Sequence, residues 1–256
     1  VDLNPRGFSS SFATDISGQH QVGRGQGTLT GGSWHALMWE GTAESYVDLT
    51  PDGFSTSRAT GIYSSQQIGY GSGNVTGGAT HALLWQGSKE SYIDLHASGF
   101  TETLGYGLSG NYQVGSGRGN ATDGEWHALM WEGEASSVVD LNPHGLTESF
   151  ARDISGQRQA GYGSGTATDG ENHALVWSGT PESVIDLHSY LPEGYISSKA
   201  WGIDSAGNVV GYAETTTGQY HATVWIPEPA SILLLGIGTL ILRTRNEVLH
   251  TLSEKA

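Results

Sequence analysis

Trp34-His35-Ala36-Leu37-Met38-Trp39, closed by Glu40-Gly41 and followed by Ser45-Tyr46-Val47-Asp48-Leu49, decides the fold because it recurs. His35-Ala36 with Trp39 returns as His81-Ala82 with Trp85, His127-Ala128 with Trp131 and His173-Ala174 with Trp177, each 46 residues after the last. A fifth copy, His221-Ala222 with Trp225, follows after 48 residues. Asp-Leu keeps the same beat, in Val1-Asp2-Leu3, Val47-Asp48-Leu49, Ile93-Asp94-Leu95, Val139-Asp140-Leu141 and Ile185-Asp186-Leu187. A period in this range belongs to a blade, a solenoid turn or an array unit.

Within one unit the periodicity is two, not 3.6. In the quoted stretch His35, Leu37 and Trp39 point one way and Ala36 and Met38 the other. Upstream, Ser11–Ile16 and Gln21–Thr28 read as two more short strands, stopped by Ser17-Gly18 and Gly31-Gly32. The fourth is Ser45–Leu49, ended by Pro51-Asp52-Gly53. Gly23, Gly25 and Gly27 share a face and leave space for neighbouring side chains or an adjacent sheet. The turn before the third strand becomes Asp123-Gly124 and Asp169-Gly170 in later copies, a pair suited to positive φ. No amphipathic helical stretch occurs in residues 1–226.

Four antiparallel strands in a unit of this length predict an all-β fold, a β-propeller of five four-stranded blades over residues 1–226. The last unit lacks its fourth strand and the chain starts with a spare one, Val1-Asp2-Leu3. Pairing the two closes the ring. The alternatives are an open β-solenoid or an array cut from a larger ring. Val1 falls in mid-repeat without an initiating Met, as expected of a fragment or a processed form.

Formal net charge is -15, and residues 1–226 hold 23 acids against 8 bases. A nucleic-acid partner needs a basic stripe to displace counterions, so that class is excluded. Without cysteine there is no disulfide framework, thiolate site or Cys nucleophile.

After Trp225 the texture changes. Pro227-Glu228-Pro229 leads into residues 230–242, thirteen without a charge, and then Arg243-Thr244-Arg245. A bilayer core needs about twenty helical residues, so the stretch reads as a short hydrophobic helix, buried or weakly membrane-anchored. The arginines would then lie on the cytoplasmic side. Residues 246–256 form a polar tail.

The order Pro-Glu-Pro, apolar run and arginines resembles the PEP-CTERM sorting signal of Gram-negative bacteria, over residues 227–245. The repeat His-Ala-Leu-Met/Leu-Trp-x-Gly with its Val/Ile-Asp-Leu is similar to the HAF family of extracellular repeats. Together they span nearly the whole chain. The resemblance implies export, recognition by an exosortase-type processing enzyme at Pro227, Glu228, Pro229, Arg243 and Arg245, and transient membrane anchoring by residues 230–242. It also implies a place in the cell envelope or extracellular polysaccharide. Here Leu37, Leu83, Leu129, Leu175 and Thr223 stand where family members carry an aromatic, and residues 246–256 continue past the arginines.

No catalytic, cofactor or metal residue is expected. Three or four imidazoles would have to meet within about 2 Å of one ion, and blade symmetry holds His35, His81, His127, His173 and His221 apart. With Trp39, Trp85, Trp131, Trp177 and Trp225 they are read as structural, each His bonding a turn in its own or the neighbouring blade. The repeated aspartates are separated likewise, and a recurring Asp would discourage edge-to-edge pairing. Only the innermost strand converges on the axis, where Asp15 and Asp153 alternate with Gly61, Gly107 and Gly202. Glycosidase chemistry needs two carboxylates roughly 5–10 Å apart. Two functions remain: a non-enzymatic surface or matrix protein binding polysaccharide or envelope components, and a secreted glycan-acting hydrolase.

Overall fold

The computed structural model describes residues 1–227. The first sheet runs β1 (Phe8–Ser17), β2 (His20–Gly27), β3 (His35–Trp39) and β4 (Val47–Asp48). The second runs β5 (Phe54–Tyr63), β6 (Gln66–Gly73), β7 (His81–Trp85) and β8 (Ile93–Asp94). The third is β9 (Phe100–Ser109), β10 (Tyr112–Gly119), β11 (His127–Glu132) and β12 (Val139–Asp140). The fourth is β13 (Glu148–Ser155), β14 (Arg158–Ser164), β15 (His173–Trp177) and β16 (Ile185–Asp186). The fifth holds β17 (Tyr195–Ile203), β18 (Val209–Thr215) and β19 (Tyr220–Trp225). All pairings are antiparallel and each sheet is a meander in chain order. First strands touch the first strands of neighbouring sheets (β1 with β5, β5 with β9, β9 with β13, β13 with β17), so they surround the axis of a propeller.

The alternation read from the third strand is what packs the blades. Val22 and Ala36 of the first sheet, with Leu49, bury against Phe54, Ala59, Ile62, Leu83 and Trp85 of the second. The same joint recurs between the second and third, third and fourth, and fourth and fifth sheets. Trp39, Trp85, Trp131 and Trp177 are fully buried. The second-strand glycines make room inside their own sheet. A Cβ on Gly25 would stand 2.6 Å from Leu37 and 2.7 Å from Phe8, and one on Gly23 would strike the Phe12 carbonyl at 1.9 Å. Asp123 and Asp169 hold φ of 52° and 53°, followed by Gly124 and Gly170 at 89° and 86°, as the Asp-Gly pairs predict. First strands are longer than read, and fourth strands only two residues long.

Ring closure is the expectation that fails. Four sheets have four strands, but the fifth has three, and Val1–Leu3 forms no strand. Leu3 lies against Phe8, Leu37 and Trp39 of the first sheet, and among the described residues no core cluster joins the fifth sheet to the first. Four equivalent joints leave the outer faces of the end sheets apart. The expected C-terminal helix, and Glu228, Pro229, Arg243 and Arg245 of the sorting signal, lie outside the described residues. No helix among those described is long and apolar enough to cross a membrane.

Candidate functional site: an aromatic and cationic belt about the axis

The repeated histidines and aspartates meet each other, not turns. His35 Nδ1 lies 2.7 Å from Asp48 Oδ2, and His81–Asp94, His127–Asp140 and His173–Asp186 repeat that bond at 2.7 Å. The other carboxylate oxygen accepts a backbone N–H two residues on, as Asp48 Oδ1 does from Thr50 at 2.8 Å. Each pair clasps a two-residue fourth strand to its sheet. Burial pushes the Asp48 and Asp186 carboxyls up, but the hydrogen bonds from His35 and His173, together with the backbone N–H bonds and the attraction of the imidazoles, outweigh it and hold both below the usual range. The aspartate thus serves as a clasp within its own sheet. His221 alone has a different partner, the Tyr195 hydroxyl at 2.9 Å.

Asp15 and Asp153 also prove to be clasps. Asp15 Oδ1 accepts from Ile16 N–H and its Oδ2 from Ile62 N–H of the next sheet, both at 2.8 Å. Asp153 does the same with Ile154 and Ile203, again at 2.8 Å. Burial raises the Asp153 carboxyl above its ordinary value. Each oxygen of both carboxylates thus accepts one backbone N–H, and each aspartate ties its strand to the next sheet.

A different set of residues converges on the axis. Toward the C-terminal end of every first strand a residue is bulged out of register between its neighbours: Thr14, Thr60, Tyr106, Arg152 and Trp201. A bulge re-aims the side chain it carries. In the first two sheets the threonine hydroxyl reaches the next sheet's backbone, Thr14 to Ala59 O and Thr60 to Gly105 O, both at 2.9 Å. The last three sheets carry large side chains instead. Arg152 Cζ lies 4.1 Å from the Tyr106 ring centroid and 4.5 Å from that of Trp201, a guanidinium between two rings.

The pairs beside these bulges extend the arrangement. Lys199 Nζ stands 4.3 Å over Tyr162, which stacks on Phe150 at 5.1 Å. Arg118 lies 5.0 Å over Trp126, and Arg24 is 5.0 Å from both Phe12 and Trp34. Arg58 is 5.9 Å from Tyr70. Four of the eight lysines and arginines in residues 1–226 lie within about 5 Å of a ring, and Arg58 makes a fifth at slightly longer range.

Like charges are drawn together here. Burial and the nearby Arg58 hold the Arg24 guanidinium below its ordinary value, and burial with Arg152 does the same to Lys199. Burial raises the Tyr106 and Tyr162 phenols, which stay neutral. Among the described residues Arg118 pairs with Glu102 at 2.6 Å, whereas Arg24, Arg58, Arg152 and Lys199 form no ion pair. A cleft of about 250 Å³ borders Arg58, Tyr70 and Thr80 on this belt. A larger one, about 460 Å³, lies beside His35, Asp48 and Lys89, but the Lys89–Asp52 pair already neutralises its cation. The belt, with unneutralised cations beside flat rings, is the better candidate site. The repeat pattern did not disclose it, because its residues are those that differ from copy to copy.

No family model matches this chain, and no curated protein matches it. Among solved structures, the chain is similar to a putative TolB from Agrobacterium tumefaciens (TM-score 0.56, 12% identity, covering 86% of this chain and 81% of that one). It is also similar to a puromycin hydrolase, seen as an S511A mutant complexed with PGG (TM-score 0.59, 10% identity, 88% of this chain). The chain spans 37% of that hydrolase. At these identities the likeness is one of fold alone.

Proposed function

We propose that this chain is an exported, non-enzymatic scaffold of the cell envelope or extracellular matrix whose axial belt binds acidic polysaccharide. The observation that carries the reading is that a domain with 23 acids places most of its few cations on aromatic rings about the axis. Rings offer flat apolar faces to the C–H side of a sugar, and unpaired guanidinium and ammonium groups offer donors to its carboxylates. Net negative charge elsewhere repels the same polymer and confines it to the belt. Export and sorting rest on the sequence of residues 227–245, with an exosortase-type enzyme acting near Pro227-Glu228-Pro229 and residues 230–242 anchoring the protein meanwhile.

The test is affinity electrophoresis through gels containing polygalacturonate or neutral dextran, with assay of reducing ends on the same polymers. Retardation by polygalacturonate alone, weakened by salt and by Arg152→Ala, is the expected result. Equal retardation by dextran would overturn the acidic specificity. Chain cleavage abolished by Asp153→Asn would replace the scaffold with the glycan-acting hydrolase.

A further inference from the structure

The second sheet lacks a ring that its neighbours use to cover a cation. Thr80 precedes His81, where the first and third sheets carry Trp34 before His35 and Trp126 before His127. The Trp34 ring centre lies 5.0 Å from Arg24 Cζ, and that of Trp126 lies 5.0 Å from Arg118 Cζ. The second sheet has an arginine of its own, Arg58, which faces Tyr70 across β5 and β6. With a threonine at the covering position, the cleft of about 250 Å³ opens beside that guanidinium, walled by Tyr70, Gly71, Ser72 and Thr80. The fourth sheet has Asn172 at this position, but there Lys199 lies over Tyr162, which stacks on Phe150.

The walls select a ligand by their chemistry. No carboxylate lines this cleft, whereas Asp48, Asp52 and Glu90 line the larger one on the rim. Arg58 forms no ion pair among the described residues, and its charge, after burial, helps to hold the Arg24 guanidinium low. An anion placed beside Arg58 is therefore attracted by two cations. The Thr56 and Ser57 hydroxyls on the same wall are engaged, Thr56 donating to Trp34 O and Ser57 accepting from Ala36 N–H, each at 2.9 Å. Those of Tyr70, Ser72 and Thr80 form no hydrogen bond among the described residues, which sets three hydroxyls around one cation. Sites for drug-sized ligands run to roughly 300–1,000 Å³, so this cleft has room for one sugar ring and not for a chain of them.

We propose that the cleft binds a single hexuronate residue, its carboxylate on the Arg58 guanidinium and its hydroxyls on Tyr70, Ser72 and Thr80. The class of ligand rests on the acidic-polysaccharide reading of the belt. What the cleft adds is a subsite for one residue, recognised as a free sugar as well as within a polymer.

Titration of the full chain in mild detergent with galacturonic acid, followed at the amide resonances of Gly71, Ser72 and Thr80, tests it. Saturable shifts at these three residues are expected, with none from galactose or inorganic sulfate at equal concentration. Arg58→Ala lowers the affinity about tenfold, the loss of a charge-assisted hydrogen bond. Lys89→Ala removes the same charge outside the cleft and leaves the affinity unchanged. Thr80→Trp restores the covering ring of the first and third sheets, keeps the wild-type spectrum elsewhere, and abolishes the shifts with Arg58 still in place. Sulfate bound as tightly as galacturonate would overturn the sugar and leave an anion site. Binding that survives both Arg58→Ala and Thr80→Trp would move the site out of the cleft and end the proposal. A wild type retarded by polygalacturonate yet unshifted by galacturonic acid removes this subsite and leaves the polymer reading standing. Shifts without retardation do the reverse, supporting the subsite and removing the polymer.

Discussion

The outer rim and the inner belt use one backbone for opposite purposes. At the rim, sheet after sheet repeats the same His, Asp and buried Trp, with the His–Asp bond held at 2.7 Å in four sheets. At the belt the same bulged position holds Thr, Thr, Tyr, Arg and Trp in turn. A residue needed to build every blade recurs in every blade. A side chain released from packing by a bulge is open to change, and there the molecule becomes asymmetric. Repetition marks the scaffold, and departure from it marks the site.

The strongest way to break this contrast is at the rim. Trp131→Ala removes a fully buried ring from the joint between the second and third sheets. It is expected to cost about 3–5 kcal/mol, read as loss of cooperative thermal unfolding, with glycan retention lost alongside. Should Trp131→Ala leave the melting temperature within a few degrees of wild type, the rim is not what holds the blades.

At the belt the balance reverses. Arg152→Ala and Trp201→Ala are expected to leave the melting temperature nearly unchanged, because the tryptophan is half exposed and the guanidinium spans rings without an ion pair. What each offers the polymer is a contact of its own, a charge-assisted hydrogen bond to a sugar carboxylate from Arg152 and a ring face from Trp201. Retention by polygalacturonate therefore falls several-fold in each variant and further in the double. Stability loss equal to that at the rim would make Arg152 a structural residue.

How much of this the sequence discloses follows the same division. The strands, the facing of Leu37 and Trp39 against Ala36 and Met38, and the positive φ at Asp123 and Asp169 are local, and local pattern reads them correctly. The His–Asp clasp is present as an unchanging thirteen-residue spacing, yet the spacing alone does not pair the two, because cross-strand register between β3 and β4 is set by turn geometry. The bulge carries no residue signature, since Thr60 and Trp201 satisfy it equally, so the belt was invisible. The open ring was out of reach for another reason: closure depends on the angle gained at each joint, which no strand states.

The smallest effect is one of pH, and it separates two kinds of rim. In the second and fourth sheets a second histidine stacks on the first, His96 on His81 at 3.8 Å and His188 on His173 at 4.0 Å. Elsewhere the equivalent residue is Asn4, Thr50 or Asn142. Burial, and then the neighbouring imidazole, hold His96 and His188 below the ordinary value, against the partial attraction of Asp94 and Asp186. A lowered folded-state pKa means that the unfolded chain takes up the proton first. Stability is therefore full above about pH 6.5, the unfolded imidazole value, and falls as acid is added below it. The carboxylates Asp48 and Asp186, held low in the folded chain, act in a separate window, losing their contribution only as pH falls through about 4. Replacing both stacked histidines by the asparagine that other sheets already use should flatten the melting temperature between pH 7.5 and 5.5 while leaving the acid limb in place. An unchanged slope in that double variant would put the proton uptake elsewhere and make the two kinds of rim electrostatically equivalent.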